Sequence, residues 1–290
     1  MNLARALLIG HLVALVFGLA GILIALPNPQ LWANDPMARS VFDFGMTYGG
    51  ATHIVFGAAA MFVFGWLVLG FGRTAIFFVA SCALSLGSEL IGTGTGWPFG
   101  NYEYTSFLGY KVLDRVPFTI PLSWFYVGLA CYLLGDLIAA RAGGRRALWA
   151  LLLGVWLLTA WDLVLDPAMA DPGLRVQFWT WHETGPYFGM PVQNFVGWSL
   201  TGLLYMGLSR LLWRGDPDIA RTAPVAWFPF VVYVANVIFA MALSLSAGLW
   251  IPVVLVAVVG ILPACLALVP GRRRPAAVAG DGSWRTAPSR

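Results

Sequence analysis

Charge is scarce in this sequence. Of its 290 residues 10% are Asp, Glu, Lys or Arg and 59% are hydrophobic, which excludes an ordinary soluble domain. The net charge of +4 is not a nucleic-acid signal, because the basic residues fall in short runs between apolar segments. Lysine is scarcer still. Lys111 is the only one and it falls in a loop, so a retinal-type Schiff base inside a helix bundle is excluded. His11, His53 and His182 are the only histidines, too few for a histidine-box di-iron oxygenase, and there is no HExxH. Cys82, Cys131 and Cys265 lie singly in apolar segments, with no CxxC and no disulfide spacing.

What is plentiful is apolar sequence in runs long enough to cross a bilayer, at ~20 residues each. Such runs fall near 3–26, 48–70, 74–92, 119–140, 147–165, 191–213, 223–246 and 249–269. They predict an all-α, polytopic integral membrane bundle of eight transmembrane helices. A seven-helix count stays open, since only Ala247 and Gly248 separate the last two runs. The first run is long for a signal-peptide core and lacks an A-x-A site, so it reads as a retained helix. Residues 1–270 form one transmembrane helical domain in this reading. Residues 271–290 read as a basic, disordered tail.

Charge then sets the expected orientation. With eight helices and an inner N-terminus, only Arg39, Lys111, Arg115 and Arg175 of the 17 basic residues fall outside. That asymmetry predicts both termini on the cytoplasmic side; the membrane expected is a bacterial-type cytoplasmic membrane. Most acidic residues fall in the outer half, so the functional surface is expected to face outward or to open into the outer leaflet. Two long connections, 93–118 and 166–190, are rich in Gly, Pro and aromatics, and long loops with their own packing are commonly functional.

Chemistry-bearing residues gather beside those connections. Glu89 lies well inside an apolar run, where a carboxyl is costly unless it is paired or lines a cavity. From Arg73 to Glu89, from Arg146 to Asp162 and from Asn194 to Arg210 the separation is 16 residues each time, about 24 Å of helix. Glu89, Asp162 and Asn194 are therefore expected in one layer. Asp162 and Asp166 stand one turn apart on a helix face, and Pro167 is expected to end that helix. Two carboxyls so placed suit one proton donor and one water-orienting base. A structural hydrogen-bond cluster between helices is the plainer explanation, and for Asp166 alone a turn before proline. Trp97, Phe99, Tyr102, Tyr104, Trp161, Trp179, Trp181, Tyr187 and Trp198 offer flat faces for an apolar substrate or a developing cation. Gly92–Gly96 lacks the preceding strand and the GK[ST] end of a phosphate loop. It reads as a break after the third helix.

Four stretches taken together, GSELIGTGTGWPFGNYEYTSFLG, VPFTIPLSWF, WDLVLDPAM and FWTWHETGPYFGMPVQNFVGW, resemble the CruF-type carotenoid hydratases of bacteria and archaea. The resemblance covers roughly residues 85–200, and the flanking helices match only in kind. It implies carotenoid biosynthesis by a membrane enzyme that makes tertiary hydroxyl groups on acyclic carotenoid ends. The substrates implied are lycopene, γ-carotene-type compounds or the C50 precursor of bacterioruberin. It implies no cofactor and no metal, and as partners a carotenoid in the bilayer, water and other membrane enzymes of the same pathway.

A mechanism can be written on this chain's own residues. Asp162 or Glu89 protonates C2 of a terminal C1=C2 alkene. An aromatic face (Trp97, Trp161, Trp181 or Tyr187) shields the cation at C1, and a water held by Asp166 and Asn194 adds there. Two other classes stay open. Asp162-x-x-x-Asp166 has the spacing of one magnesium–diphosphate motif of an intramembrane prenyltransferase, although no second such motif occurs. The same aromatics also suit a carotenoid-binding or transport protein without catalysis.

Overall fold

The computed structural model describes residues 1–142 and 145–269; the tail expected at 271–290 lies outside the described residues. Helices dominate. They are α1 (Asn2–Ala20, extended by a π turn to Ala25), α2 (Pro36–Leu69), α3 (Phe71–Thr95), α4 (Thr119–Ala142), α5 (Arg146–Ala170), α6 (Gln193–Leu212), a short α7 (Ile219–Thr222), α8 (Trp227–Ser246) and α9 (Trp250–Val256). The last runs on through a π turn into a short α10 (Leu262–Cys265). Seven of these runs are long and apolar enough to cross a membrane, whereas α6 has 20 residues but is less apolar. The chain is thus an all-α polytopic membrane protein, with eight long helices among the described residues once α6 is included. Gly248, at φ 77°, separates the last two runs.

Two boundaries differ from the sequence reading. The second helix begins at Pro36, not near 48. Asp35 caps it by accepting from the Ala38 amide at 2.7 Å, and proline suits the first helical position because its missing N–H would be unpaired there anyway. The fifth helix does not stop at Pro167 but runs to Ala170. A proline inside a helix deprives the carbonyl four residues earlier of its donor. Here that carbonyl is Leu163's, and the Tyr187 hydroxyl donates to it at 3.0 Å instead.

α4 is the central helix, buried along most of its length and packed against α2, α3, α5 and α8. It approaches α5 closely because small residues meet there. A Cβ on Gly135 would lie 2.8 Å from both the Ala150 carbonyl oxygen and the Gly154 nitrogen, so larger side chains would push the two backbones apart. At the far end of this pair Arg146 donates through Nε and Nη2 to the buried Asp136 at 2.8 and 2.6 Å. On α1, His11 contacts the His53 carbonyl oxygen through Nδ1 at 2.7 Å and Asn236 of α8 through Nε2 at 3.2 Å.

The two long connections are stitched together. β1 (Tyr102–Tyr104) pairs antiparallel with β4 (Trp179–Trp181), in the register Tyr102–Trp181, Glu103–Thr180 and Tyr104–Trp179. β2 (Lys111–Val112) and β3 (Val116–Pro117) form a second small hairpin. Alternate residues of a strand face opposite sides. The Tyr102/Trp181 and Tyr104/Trp179 pairs therefore share one face, and Glu103 on the other face is exposed.

Candidate functional site

Glu89, on α3, is 3% exposed. Its carboxyl meets three donors: the Tyr104 hydroxyl at 2.9 Å, the Trp124 indole N–H at 3.0 Å and the Tyr102 hydroxyl. Both tyrosines come from β1 and Trp124 from α4. Burial first, and the Glu89 carboxyl second, hold the Tyr102 and Tyr104 phenols well above the usual tyrosine range. Both hydroxyls therefore keep their protons and act as donors. Lys111 donates to the Tyr104 carbonyl oxygen and ties the β2–β3 hairpin to the same strand.

The second polar group lies across the ladder. Asp162 and Asp166, on successive turns of α5, are both buried and both accept from the amide nitrogen of Asn194 on α6, Asp162 at 2.9 Å. The other Asp166 oxygen accepts from the Trp179 indole of β4. The second oxygen of Asp162 is buried and has no protein partner among the described residues. Asn194 also approaches the Met190 sulfur at 3.1 Å, so its amide hydrogens are taken up by protein groups.

These groups surround a cavity of about 70 Å³. Glu89, Asp166 and Asn194 line it together with Phe99, Tyr102, Tyr104, Trp161, Trp179, Trp181 and Trp198. Asp162 is not among the lining residues and joins them only through the shared Asn194 amide. Trp124 stacks on Trp198 with ring centroids 4.2 Å apart, and Trp161 meets Trp198 edge-on at 5.7 Å. The indole N–H groups of Trp161 and Trp181 are buried without a protein acceptor among the described residues. Among the described residues no lysine or arginine lines the cavity.

Two residues expected at the site lie elsewhere. Trp97 is 57% exposed and points away from the cavity lining, because α3 runs on to Thr95 before the chain turns at Gly96. Tyr187 is held by the Leu163 carbonyl, and burial pushes its phenol up to about 12. It is not among the residues that line the cavity. Gly92 is not a helix break either. A Cβ there would lie 2.8 Å from the Phe99 ring, so glycine lets that ring pack against α3.

Sequence reasoning missed Trp124, Tyr126, Asn236 and His53 as residues that line the cavity. Tyr126 donates to the Asn236 side-chain oxygen at 2.7 Å. Trp124 lies in a helix that is apolar all round and carries no signal by itself. The ladder did leave one: Tyr-Glu-Tyr and Trp-Thr-Trp share an aromatic–polar–aromatic alternation of period two, the pattern of a half-buried strand.

Fold and site define an integral membrane protein with a small, aromatic-walled cavity at whose edge buried carboxyls stand. The chain belongs to the carotenoid biosynthesis protein family, whose model matches residues 49–263. It is 32% identical over 256 residues to the bisanhydrobacterioruberin hydratase of Haloarcula japonica, covering 82% of this chain and 81% of that protein. No solved structure matches it.

Proposed function

We propose that the protein is a carotenoid hydratase, adding water across the terminal C1=C2 double bond of an acyclic carotenoid end group to leave a tertiary alcohol at C1. Membership of the carotenoid biosynthesis family and the likeness to a hydratase support the class of reaction. The observation that carries the finer reading is that Glu89 and Asp166, held by donors from opposite strands of one ladder, line the same aromatic cavity. The substrate class proposed is lycopene, γ-carotene-type compounds or the C50 analogue.

Asp166 delivers the proton in this proposal, and Asp162, whose second oxygen has no protein partner among the described residues, holds it at rest. Two carboxyls bound to one amide resist being ionised together, so the pair carries one proton. That proton goes to C2, and the π electrons of the C1=C2 bond form the new C–H bond. The cation left at C1 lies among the faces of Trp161, Trp181 and Trp198, opposite the Glu89 carboxylate. A water whose oxygen accepts from the free indole N–H of Trp161 or Trp181 adds to C1 and gives its proton to Glu89. Return of that proton to the aspartate pair restores the resting state. The three donors on Glu89 suit it to receive a proton and not to begin with one.

A prenyltransferase fits less well. The two aspartates already accept from Asn194 and Trp179, and among the described residues no lysine or arginine lines the cavity to hold a diphosphate. The testing experiment is expression in a host that accumulates lycopene, with pigments separated and weighed by mass. Wild type is expected to add one water per hydrated end, with the oxygen coming from labelled water. Asp166→Asn and Glu89→Gln are expected to lose at least about 100-fold in rate. Label arriving from O₂ would end the hydratase reading.

A further inference from the structure

The reaction cavity, at about 70 Å³, is too small to hold a long polyene. The rest of such a substrate must lie elsewhere and reach the cavity through its wall. A second, larger space of about 580 Å³ adjoins it, within the range of ligand sites, about 300–1,000 Å³. His53, Met169 and Phe239 line both spaces, and the His53 and Phe239 rings stack with centroids 5.7 Å apart.

The shape of this space follows from sequence. Along α2 it runs from Asp35 to His53, which at the helical rise is about 27 Å. The α2 residues lining it recur at helical spacing and include Gly45 and Gly49, and α1 faces it with Gly18 and Gly21. Small residues on both helices leave a trough where larger ones would fill the gap. A Cβ at Gly49 or at Gly21 would meet nothing within 4 Å. Gly49 and Gly21 therefore border empty space, whereas Gly45 makes room for the Phe17 ring. Met37 and Val41, on the rim, are 79% and 48% exposed, so the trough opens sideways.

We infer that this trough seats the polyene body of the substrate, with the end group entering the reaction cavity across the wall of His53, Met169 and Phe239 that the two spaces share. The inference rests on the hydratase reading and deepens it. A long, narrow, apolar channel ending at a polar pocket suits a rod-shaped conjugated chain whose reacting atoms lie at its tip. The continuous wall from trough to cavity favours substrate over a lipid acyl chain, which would have no reason to end at buried carboxyls.

The test uses the full-length protein in lipid nanodiscs, with lycopene and bisanhydrobacterioruberin as probes. Polyene retained per protein after size exclusion is measured for wild type, Glu89→Gln, Gly49→Ala, Gly49→Phe and Gly21→Leu. Thermal melting reports whether each is folded. Wild type, Glu89→Gln and Gly49→Ala are expected to retain polyene alike. Gly49→Phe, which fills the trough, is expected to retain at least about ten-fold less while still melting cooperatively, and Gly21→Leu gives the same reading should Gly49→Phe not fold. Retention by the filled variants equal to wild type, or no retention of either probe by wild type, overturns the trough as the substrate seat. Polyene held by wild type but never hydrated leaves the trough standing and removes the hydratase reading.

Discussion

Tyr104 and Trp179 stand directly opposite each other in the β1–β4 ladder, and each donates a hydrogen bond to a different buried carboxyl, Glu89 and Asp166. One pair of cross-strand neighbours thus fixes groups carried by two separate helices, α3 and α5. The ladder is the part that brings acid and acceptor to one cavity.

Replacing either donor should therefore slow the reaction while the bundle stays folded. A hydrogen bond to a charged or proton-sharing group is worth about 1.5–3 kcal/mol. Tyr104→Phe and Trp179→Phe are each expected to cost about 10- to 100-fold in rate. Product formation per folded protein, with helicity checked by circular dichroism, measures this. Full activity in both would remove the ladder from the mechanism.

Tyr187 and Pro167 make a second testable pair. Tyr187→Phe leaves the Leu163 carbonyl without a donor and is expected to lower stability by about 1 kcal/mol. Pro167→Ala restores an N–H in the helix, so the same tyrosine change should cost less in that background. A double-mutant cycle in denaturant or heat reads the coupling, expected at about 0.5–1 kcal/mol. Strictly additive effects would show that the hydroxyl does not stand in for the missing amide.

Alkaline pH gives a third outcome. Tyr102 and Tyr104 are held well above the ordinary value of 10 by burial and then by Glu89. Above pH 10 the unfolded phenols release protons that the folded ones keep, so the unfolded state binds fewer protons and stability falls as pH rises. Their contribution is complete below 10 and is lost from 10 upward through the folded values. Phenolate absorbance followed alongside helicity should show these two tyrosines ionising only as the protein unfolds. Comparison with Tyr102→Phe and Tyr104→Phe assigns the signal.

The sequence carried the helices well, because their apolar runs and arginine flanks follow directly from the cost of polar groups in hydrocarbon. Glu89, Asp162, Asp166 and Asn194 were visible for the same reason: each is a polar residue where an apolar one is cheaper. The boundaries at Pro36 and Pro167 were less legible. Asp35 before Pro36 was a helix-start signal lying outside the apolar window, and Pro167 ended nothing because Tyr187, from a distant loop, met the orphaned carbonyl. Trp97 was misplaced since an aromatic beside a glycine run says nothing about which way the chain then turns. The trough was invisible, because an empty space is defined by helices that come together only in the fold.

His11 has a consequence for how the protein is made. Its Nε2 meets Asn236, 225 residues later in the chain. At about 5–20 residues per second of synthesis, the first helix enters the bilayer roughly 10–45 s before its partner exists. Through that interval an imidazole nitrogen sits in hydrocarbon without its final contact. The first helix is thus inserted early but completed late, and the bundle closes only when α8 arrives.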